Sequence, residues 1–283
     1  MPSALPRTRG EVVALLESRG LRLSKRHGQS FLVDPQLADA IVADAGVRAD
    51  DHVVEIGPGA GALTQPLLAA AARVTSVEID AGLHALLADH LGGDAKLTLV
   101  HGDCLEDGLH PAIRDAFAAA RREGRRALVV ANLPYSVGTE ALARLMDLEP
   151  PPDAVVAMLQ SEVFERLRAG VGTDDYGPLA VLAATSGRVE SLRRVPPEVF
   201  FPRPTIESVV FLWTPDATCR VDAATRRRAV ELASTAFRQR RKTVGGTLRG
   251  VVTAEALRDA SIDAAARPER IAPEAWVRLA RCG

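Results

Sequence analysis

Short apolar runs separated by stretches of helical period fill the first two-thirds of the chain. The runs near 52–56, 73–79, 97–101, 126–131 and 154–159 are rich in Val, Ile and Leu and too short for helices, so each predicts a strand, and the 126–131 run a buried parallel one. Between them, apolar residues recur at three- and four-residue spacing and predict helices. Strict alternation of the two patterns predicts a doubly wound α/β sheet. Upstream, residues 11–18 have helical spacing and stop at Gly20, and residues 21–32 read as an ordered loop or short turn. Asp34-Pro35 then starts a helix: Asp is a good N-cap, Pro fits the first helical position, and Gly46 closes the far end.

Beyond the fifth run, residues 161–168 and 178–186 predict helices, and 188–194 and 208–213 predict strands. The connection between those strands runs from Val195 to Pro204 and holds Pro196, Pro197, Pro202 and Pro204. Proline cannot donate to a strand ladder, so this stretch predicts a rigid crossover between two antiparallel strands. From Asp222 onward only helical patterns occur. The expected organisation is an α/β domain over 1–215 and a small all-helical domain over 216–283.

Charge divides along the same line. Residues 1–190 carry 18 Lys and Arg against 26 Asp and Glu, a balance of −8, whereas 191–283 carry 17 against 10, a balance of +7. A basic tail on an acidic body predicts an anionic partner met by the tail. Cys104, Cys219 and Cys282 lack metal or disulfide spacing, so no metal site is expected and a reducing cytoplasm is the expected location. No window reaches the roughly 20 apolar residues of a membrane helix.

Candidate chemistry gathers at the carboxyl ends of the predicted strands, where open α/β sheets bind ligands. Glu55-Ile56-Gly57-Pro58-Gly59-Ala60-Gly61 follows the first strand and opens a helix, so its backbone can approach a ligand closely. Gly57-x-Gly59-x-x-Ala62 also fits a relaxed dinucleotide fingerprint, with Glu78 about twenty residues on. The loop alone leaves S-adenosylmethionine and NAD open. Glu78 ends the second strand, where a carboxylate can accept from both ribose hydroxyls, and Asp103 ends the third, where it can accept from an adenine amino group. Helix or turn capping is the bland alternative for each, and suits Asp80 better than Glu78. Few basic residues lie nearby to hold a pyrophosphate, and negative potential suits a sulfonium cation, so the balance favours S-adenosylmethionine.

Asn132-Leu133-Pro134-Tyr135 ends the fourth run. An exocyclic aromatic amine is a poor nucleophile because its lone pair is delocalised into the ring. If the Asn132 side-chain oxygen and the Leu133 carbonyl accept its hydrogens, the nitrogen becomes more tetrahedral and its lone pair can aim at a methyl group. Pro134 fixes the turn, and Tyr135 can stack on the base. A paired base could not reach such a pocket, so the target is unpaired or flipped out. The competing reading is a plain strand-to-helix turn.

Taken together, the chain resembles the KsgA-type small-subunit ribosomal RNA adenine dimethyltransferases along nearly its whole length. The resemblance rests on Lys25-Arg26-His27-Gly28-Gln29-Ser30-Phe31-Leu32, Val54-Glu55-Ile56-Gly57-Pro58-Gly59, Val77-Glu78-Ile79-Asp80, Gly102-Asp103 and Asn132-Leu133-Pro134-Tyr135. Met158-Leu159-Gln160-Ser161-Glu162-Val163, Tyr176-Gly177, Val195-Pro196-Pro197 and Phe237-Arg238-Gln239-Arg240-Arg241-Lys242-Thr243 extend it. It implies a class I S-adenosylmethionine-dependent methyltransferase (Rossmann-like) domain followed by a small C-terminal helical domain. Cofactor contacts, carried over by position, fall on Ser30, Leu32, Gly57, Glu78, Asp103 and Asn132, with Gln29 and Gly59 beside them. The implied reaction converts two adjacent adenines near the 3′ end of 16S rRNA, in the small subunit or its precursor, to N6,N6-dimethyladenines. The chain departs from the family pattern at His27 (usually Phe), Ser30 (usually Asn) and Ser136-Val137-Gly138 (usually Asn-Ile-Ser). Residues 104–126 read as long, with an Arg-rich helix that has the look of an insertion.

For RNA, Arg238, Arg241 and Lys242 are expected on one helical face, with Arg226, Arg227 and Arg228 one helix earlier. Lys25 and Arg26 precede the cofactor-covering loop and are further candidates. A solvated charged face is the usual reading of such runs; the basic tail and the resemblance favour phosphate contacts. Two rivals remain: a resistance-type enzyme acting on large-subunit rRNA, and an assembly factor that binds RNA on this fold without catalysis. The enzyme is expected to act as a monomer.

Overall fold

A computed structural model describes residues 5–21, 29–134, 136–219 and 221–282. Lys25, Arg26, His27 and Tyr135 lie outside the described residues. The chain forms two compact units: 1–144 with 152–161 and 190–213, and 145–151 with 162–189 and 214–283. The sequence-based boundary at about 215 meets the last division, but the second unit also takes in earlier segments that a linear reading assigns to the first domain.

The chain opens with α1 (Arg9–Ser18), β1 (Phe31–Leu32), α2 (Pro35–Asp44), β2 (His52–Ile56), α3 (Thr64–Ala70), β3 (Arg73–Glu78) and α4 (Ala81–Leu91). It continues through β4 (Leu97–His101), α5 (Pro111–Arg122), β5 (Ala127–Asn132), α6 (Gly138–Met146), β6 (Ala154–Gln160), α7 (Ser161–Arg168) and α8 (Pro178–Ala184). Then come β7 (Gly187–Val195), β8 (Phe200–Phe201), β9 (Ser208–Pro215), α9 (Ala223–Phe237), α10 (Val244–Thr247), α11 (Ala254–Asp259) and α12 (Pro273–Arg281). Local chemistry sets the boundaries. Thr8 and Glu11 close a capping box that starts α1 two residues earlier than its apolar spacing predicts. The Asp34 side chain accepts from the Leu37 amide at the start of α2.

The described strands form a seven-stranded sheet in the order β4-β3-β2-β5-β6-β9-β7. Strands β4 to β6 are parallel and β9 is antiparallel to β6. Sequence order reverses between β2 and β5: the chain proceeds outward through β3 and β4 on one side and through β6 on the other. Adjacent loops leave the sheet in opposite directions there, which opens a crevice at the strands' carboxyl ends. The core under that crevice includes Leu67, Val74, Val130 and Val156, all essentially without solvent exposure.

Two features go beyond the sequence reading. First, residues 104–126 carry a crossover: reaching β5 from β4 means crossing β3 and β2, and α5 makes that crossing. Ile113, Phe117 and Ala120 form its buried face, and burying each of the two large ones contributes about 1.5–3 kcal/mol. The residues just after it act as tethers. Arg126 holds the buried Asp51 and the Gly46 carbonyl, and Glu123 gathers His52, Arg73 and Arg125. Second, the Pro-rich crossover contains β8, which pairs with β1 in its own two-stranded sheet, Phe31 opposite Phe201 and Leu32 opposite Phe200.

In the second unit, Tyr176, Leu232, Val244, Leu257 and Trp276 share one buried cluster. The Tyr176 hydroxyl donates to the Ile271 carbonyl at 2.8 Å, and its ring meets Phe237 edge-on at 5.9 Å.

Candidate active site

The crevice at the reversal point is a cavity of about 470 Å³, inside the range of roughly 300–1,000 Å³ usual for ligand sites. Gln29, Ser30 and Leu32 line it from before α2, and Gly57 and Gly59 from the loop after β2. Glu78 and Asp103 reach it from the ends of β3 and β4, and Asn132, Leu133 and Pro134 from the end of β5. Every described residue that the sequence singles out for cofactor or acceptor contact therefore meets in one space.

Glu78 is buried, and both of its oxygens are engaged. Oε2 accepts the Gly59 amide at 3.0 Å and Oε1 accepts the Asp80 amide at 2.9 Å. Each oxygen keeps a second lone pair, enough to receive a vicinal diol. Burial raises the Glu78 pKa above the usual carboxylate range, against the pull of the backbone donors. Asp80 has the capping role expected of it: Oδ1 accepts from Gly82 and Leu83 at the start of α4, and Oδ2 receives the Gln29 amide.

Glu55 also lines the cavity and was not among the sequence candidates. Thr64 and Ser76 hydroxyls both donate to its Oε2 at 2.8 Å. Burial pushes its pKa up to about 7, with the Glu78 carboxylate adding to the rise and the two hydroxyl donors opposing it. The available signal was a lone acid inside Val53-Val54-Glu55-Ile56, on a strand buried along its whole length.

At Asp103 the capping role is present and leaves one oxygen open toward the cavity. Oδ1 caps the turn by accepting the Leu105 amide at 2.9 Å, and Oδ2 has no donor among the described residues.

The glycines of the loop serve protein contacts. A Cβ on Gly57 would lie 2.9 Å from Pro134 Cγ, and one on Gly59 would lie 2.8 Å from the Phe31 ring. Both have positive φ, so a side chain would be strained as well as crowded. Their absence lets Pro134 close one side of the loop and Phe31 the other. Phe31 is held by β8, and Ser30 reinforces the pairing through a 2.9 Å bond from Oγ to the Pro202 carbonyl. Asn132 Nδ2 donates to the Ser30 carbonyl at 2.9 Å. With its nitrogen so committed, the oxygen is the end of the amide left for an incoming donor.

In the second unit the basic residues separate by role. Arg226 is fully buried: Nε meets Asp147 Oδ1 at 2.9 Å and Nη1 donates to the Val221 carbonyl. The expected phosphate contact at Arg226 is corrected, because its guanidinium is enclosed and spent inside the unit. Arg227, exposed, reaches Asp147 at 3.0 Å, and Arg228, half-buried, reaches Glu231 at 3.6 Å. Because α9 ends at Phe237, Arg238, Arg241 and Lys242 lie in the turn after the helix and do not share a helical face. All three are exposed, and none has an acidic partner within salt-bridge distance among the described residues. Arg240, between them, instead donates to the Thr173 and Asp174 carbonyls.

The family model described as ribosomal RNA adenine dimethylase matches residues 20–282. The chain belongs to that family. Relatives of the dimethylase family named ribosomal RNA small subunit methyltransferase A cover the chain almost from end to end. The one from Magnetococcus marinus is 39% identical over 96% of this chain and 95% of its own. One from Synechococcus sp. is 38% identical over 91% and 94%. Among solved structures, a dimethyladenosine transferase from Plasmodium falciparum superposes with a TM-score of 0.69 at 21% identity, covering 87% of this chain and 94% of that one. The 23S rRNA methyltransferase ErmE gives 0.61 at 24%, covering 89% and 98%. At those identities the likeness shows the fold, a methyltransferase α/β sheet.

Dimethylase membership implies S-adenosylmethionine as methyl donor, and the cavity suits it. The Glu78 carboxylate, with Glu55 beside it, offers negative potential to a cationic ligand, Glu55 more fully as pH rises past 7. Open lone pairs on Glu78 and Asp103 suit a ribose and an amino-purine, while Ile56, Ile79 and Leu83 supply apolar wall.

Proposed function

We propose that this chain methylates N6 of two adjacent adenines in a loop near the 3′ end of small-subunit (16S) rRNA, giving N6,N6-dimethyladenines. It is then an S-adenosylmethionine-dependent rRNA dimethyltransferase acting in the cytoplasm, as a monomer, on the small subunit or its precursor. One observation carries the reading: Asn132 presents an oriented amide to a cavity that also holds Glu78 and Asp103, in a chain of the dimethylase family.

When bound, S-adenosylmethionine supplies an electrophilic methyl group. Glu78 would receive its ribose hydroxyls on the lone pairs left by Gly59 and Asp80, and Asp103 Oδ2 its adenine amino group. Gln29, Ser30 and Leu32 would cover it, held down by β8. On the acceptor side, the Asn132 oxygen and the Leu133 carbonyl would take the hydrogens of the target amine, which turns its lone pair out of conjugation. Tyr135 in this reading stacks on the flipped-out base, a contribution of roughly 1–3 kcal/mol. No side chain is required as a strong base, because water can take the proton from the alkylated nitrogen.

Arg238, Arg241 and Lys242 are assigned to RNA phosphates, with Lys25 and Arg26 as further contacts. Arg227 and Arg228 can join them, since exposed ion pairs are worth only about 0–1 kcal/mol and exchange readily. The large-subunit alternative is not favoured: the relatives at 35–39% identity carry small-subunit names. Among the described residues no helix is long and apolar enough to cross a membrane.

The test is incubation with labelled S-adenosylmethionine and undermethylated small subunits, with methyl groups mapped and counted by mass spectrometry. Dimethylated adjacent adenines near the 16S 3′ end are expected. Methylation confined to large-subunit rRNA, or none, overturns the reading.

A further inference from the structure

The turn that carries Asp103 is braced from behind by a residue that touches neither ligand. A Cβ on Gly102 would lie 2.8 Å from His110 Nε2 and 3.0 Å from its Cδ2, so the imidazole sits directly against the Gly102 backbone. The His110 amide donates to the Cys104 carbonyl at 2.9 Å, tying the far side of the same turn. The ring itself is fixed at both ends. Nδ1 accepts the Ala112 amide at 3.1 Å as the N-cap of α5, which leaves the hydrogen on Nε2, 3.4 Å from Glu106 Oε2. Glu106 in turn donates its amide to the Asp103 carbonyl at 3.0 Å. His110, Glu106, Asp103 and Gly102 thus form a closed loop of contacts around the turn.

We propose that His110 is a positioning residue for cofactor recognition: its ring sets the height of the Gly102-Asp103 turn and so aims Asp103 Oδ2 at the cofactor's purine amino group. The inference rests on the assignment of Asp103 to that amino group. Asp103 is exposed, and its own cap to Leu105 fixes only one oxygen. Without the ring behind Gly102 the turn can sink toward α5 and carry the second oxygen away. The first turn of α5 becomes part of the site, which gives the 104–126 segment a function beyond spanning the sheet.

The role separates from simple folding because Asn is also a strong N-cap. His110→Asn keeps a side-chain acceptor for Ala112 but removes the ring. S-adenosylhomocysteine and its 6-oxo (inosine) counterpart are the probes, with affinities measured by calorimetry and unfolding midpoints recorded alongside. Wild type is expected to prefer the 6-amino ligand, and His110→Asn to bind it about ten-fold more weakly with most of the preference lost at little change in midpoint. Asp103→Asn is the control for the underlying assignment: if it leaves the preference intact, the Asp103 reading fails. If it abolishes the preference while His110→Asn binds and discriminates as wild type does, the positioning role fails.

A second pair of variants tests the contact itself. Gly102→Ala places a methyl against the ring and is expected to weaken binding, and His110→Ala in that background is expected to restore part of it by making room. Effects that simply add in the double variant would contradict a direct brace.

Discussion

The Asn132 amide nitrogen donates to the Ser30 carbonyl at 2.9 Å, joining the end of β5 to the segment ahead of α2 that lines the cavity. One bond thereby does two things: it fixes which way the amide oxygen faces, and it ties down the segment carrying Gln29, Ser30 and Leu32. Asn132→Asp separates these effects. A carboxylate cannot donate to a carbonyl, so the covering segment loses its tie and the reacting geometry its alignment. Methyl transfer at saturating cofactor is expected to fall by roughly 10²–10³-fold, the usual cost of one preorganised group, with a smaller change in S-adenosylhomocysteine affinity. Single-turnover incorporation into undermethylated subunits measures the first, calorimetry the second. Loss confined to affinity would count against the acceptor role.

In the proposed reading, Glu78 is the residue on which cofactor affinity is expected to depend most directly. A glutamine there has one acceptor oxygen, and its NH2 must face either the Gly59 or the Asp80 amide, donor against donor. A buried amide left unsatisfied costs about 1–3 kcal/mol, so Glu78→Gln is expected to weaken S-adenosylhomocysteine binding about ten-fold or more, before any loss of ribose contact. Calorimetric titration decides it, and an affinity within two-fold of wild type would show that Gly59 and ribose do not depend on Glu78.

How much of this site can be read from the sequence depends on how local its causes are. Glu78, Asp103 and Asn132 are legible because each ends an apolar run, and parallel strands deliver their carboxyl ends to one edge. Glu55 is hidden by the same pattern, since a charged residue within a buried strand looks like part of the glycine loop that follows. The pairing of Phe31 with Phe201 is invisible: a two-residue ladder has no periodicity, and its halves are far apart in the chain. Arg226 misleads for a related reason. Sequence shows a run of three arginines, and only packing reveals that one turns inward to Asp147 while its neighbours stay out. Arg238, Arg241 and Lys242 have helical spacing, but α9 stops before them.

Glu55 predicts a pH dependence in the ligand-free protein. Its folded pKa of about 7 lies above the ordinary value of 4.5, so the folded state holds this proton more tightly than the unfolded chain. The contribution to stability is fully present below about pH 4.5 and is lost as pH rises through 7. Glu55→Gln removes that dependence. The variant's stability relative to wild type is expected to improve between pH 5 and pH 8, by up to about 3 kcal/mol from the size of the shift. Urea titrations at both pH values measure it, and a constant difference would place the ionisation elsewhere.

The basic residues of the second unit make a prediction that separates phosphate contact from scaffolding. Each phosphate neutralised releases counterions, so the slope of log affinity against log salt reports how many contacts a variant loses, at about 0.7–0.9 per contact. Replacing Arg238, Arg241 and Lys242 together by Ala is expected to reduce the slope by about 2–3 and to weaken binding at low salt. Arg240 donates to the Thr173 and Asp174 carbonyls, and its loss removes a support, with no phosphate partner. Arg240→Ala is therefore expected to weaken binding while leaving the slope nearly unchanged. Arg226→Ala empties a fully buried position and leaves Asp147 with only the exposed Arg227 as partner, so it is expected to lower the unfolding midpoint first. Titration of a 16S 3′-terminal RNA at several salt concentrations, with melting curves for each variant, distinguishes the three classes. A slope that falls as much for Arg240→Ala as for Arg238→Ala would place Arg240 on the RNA.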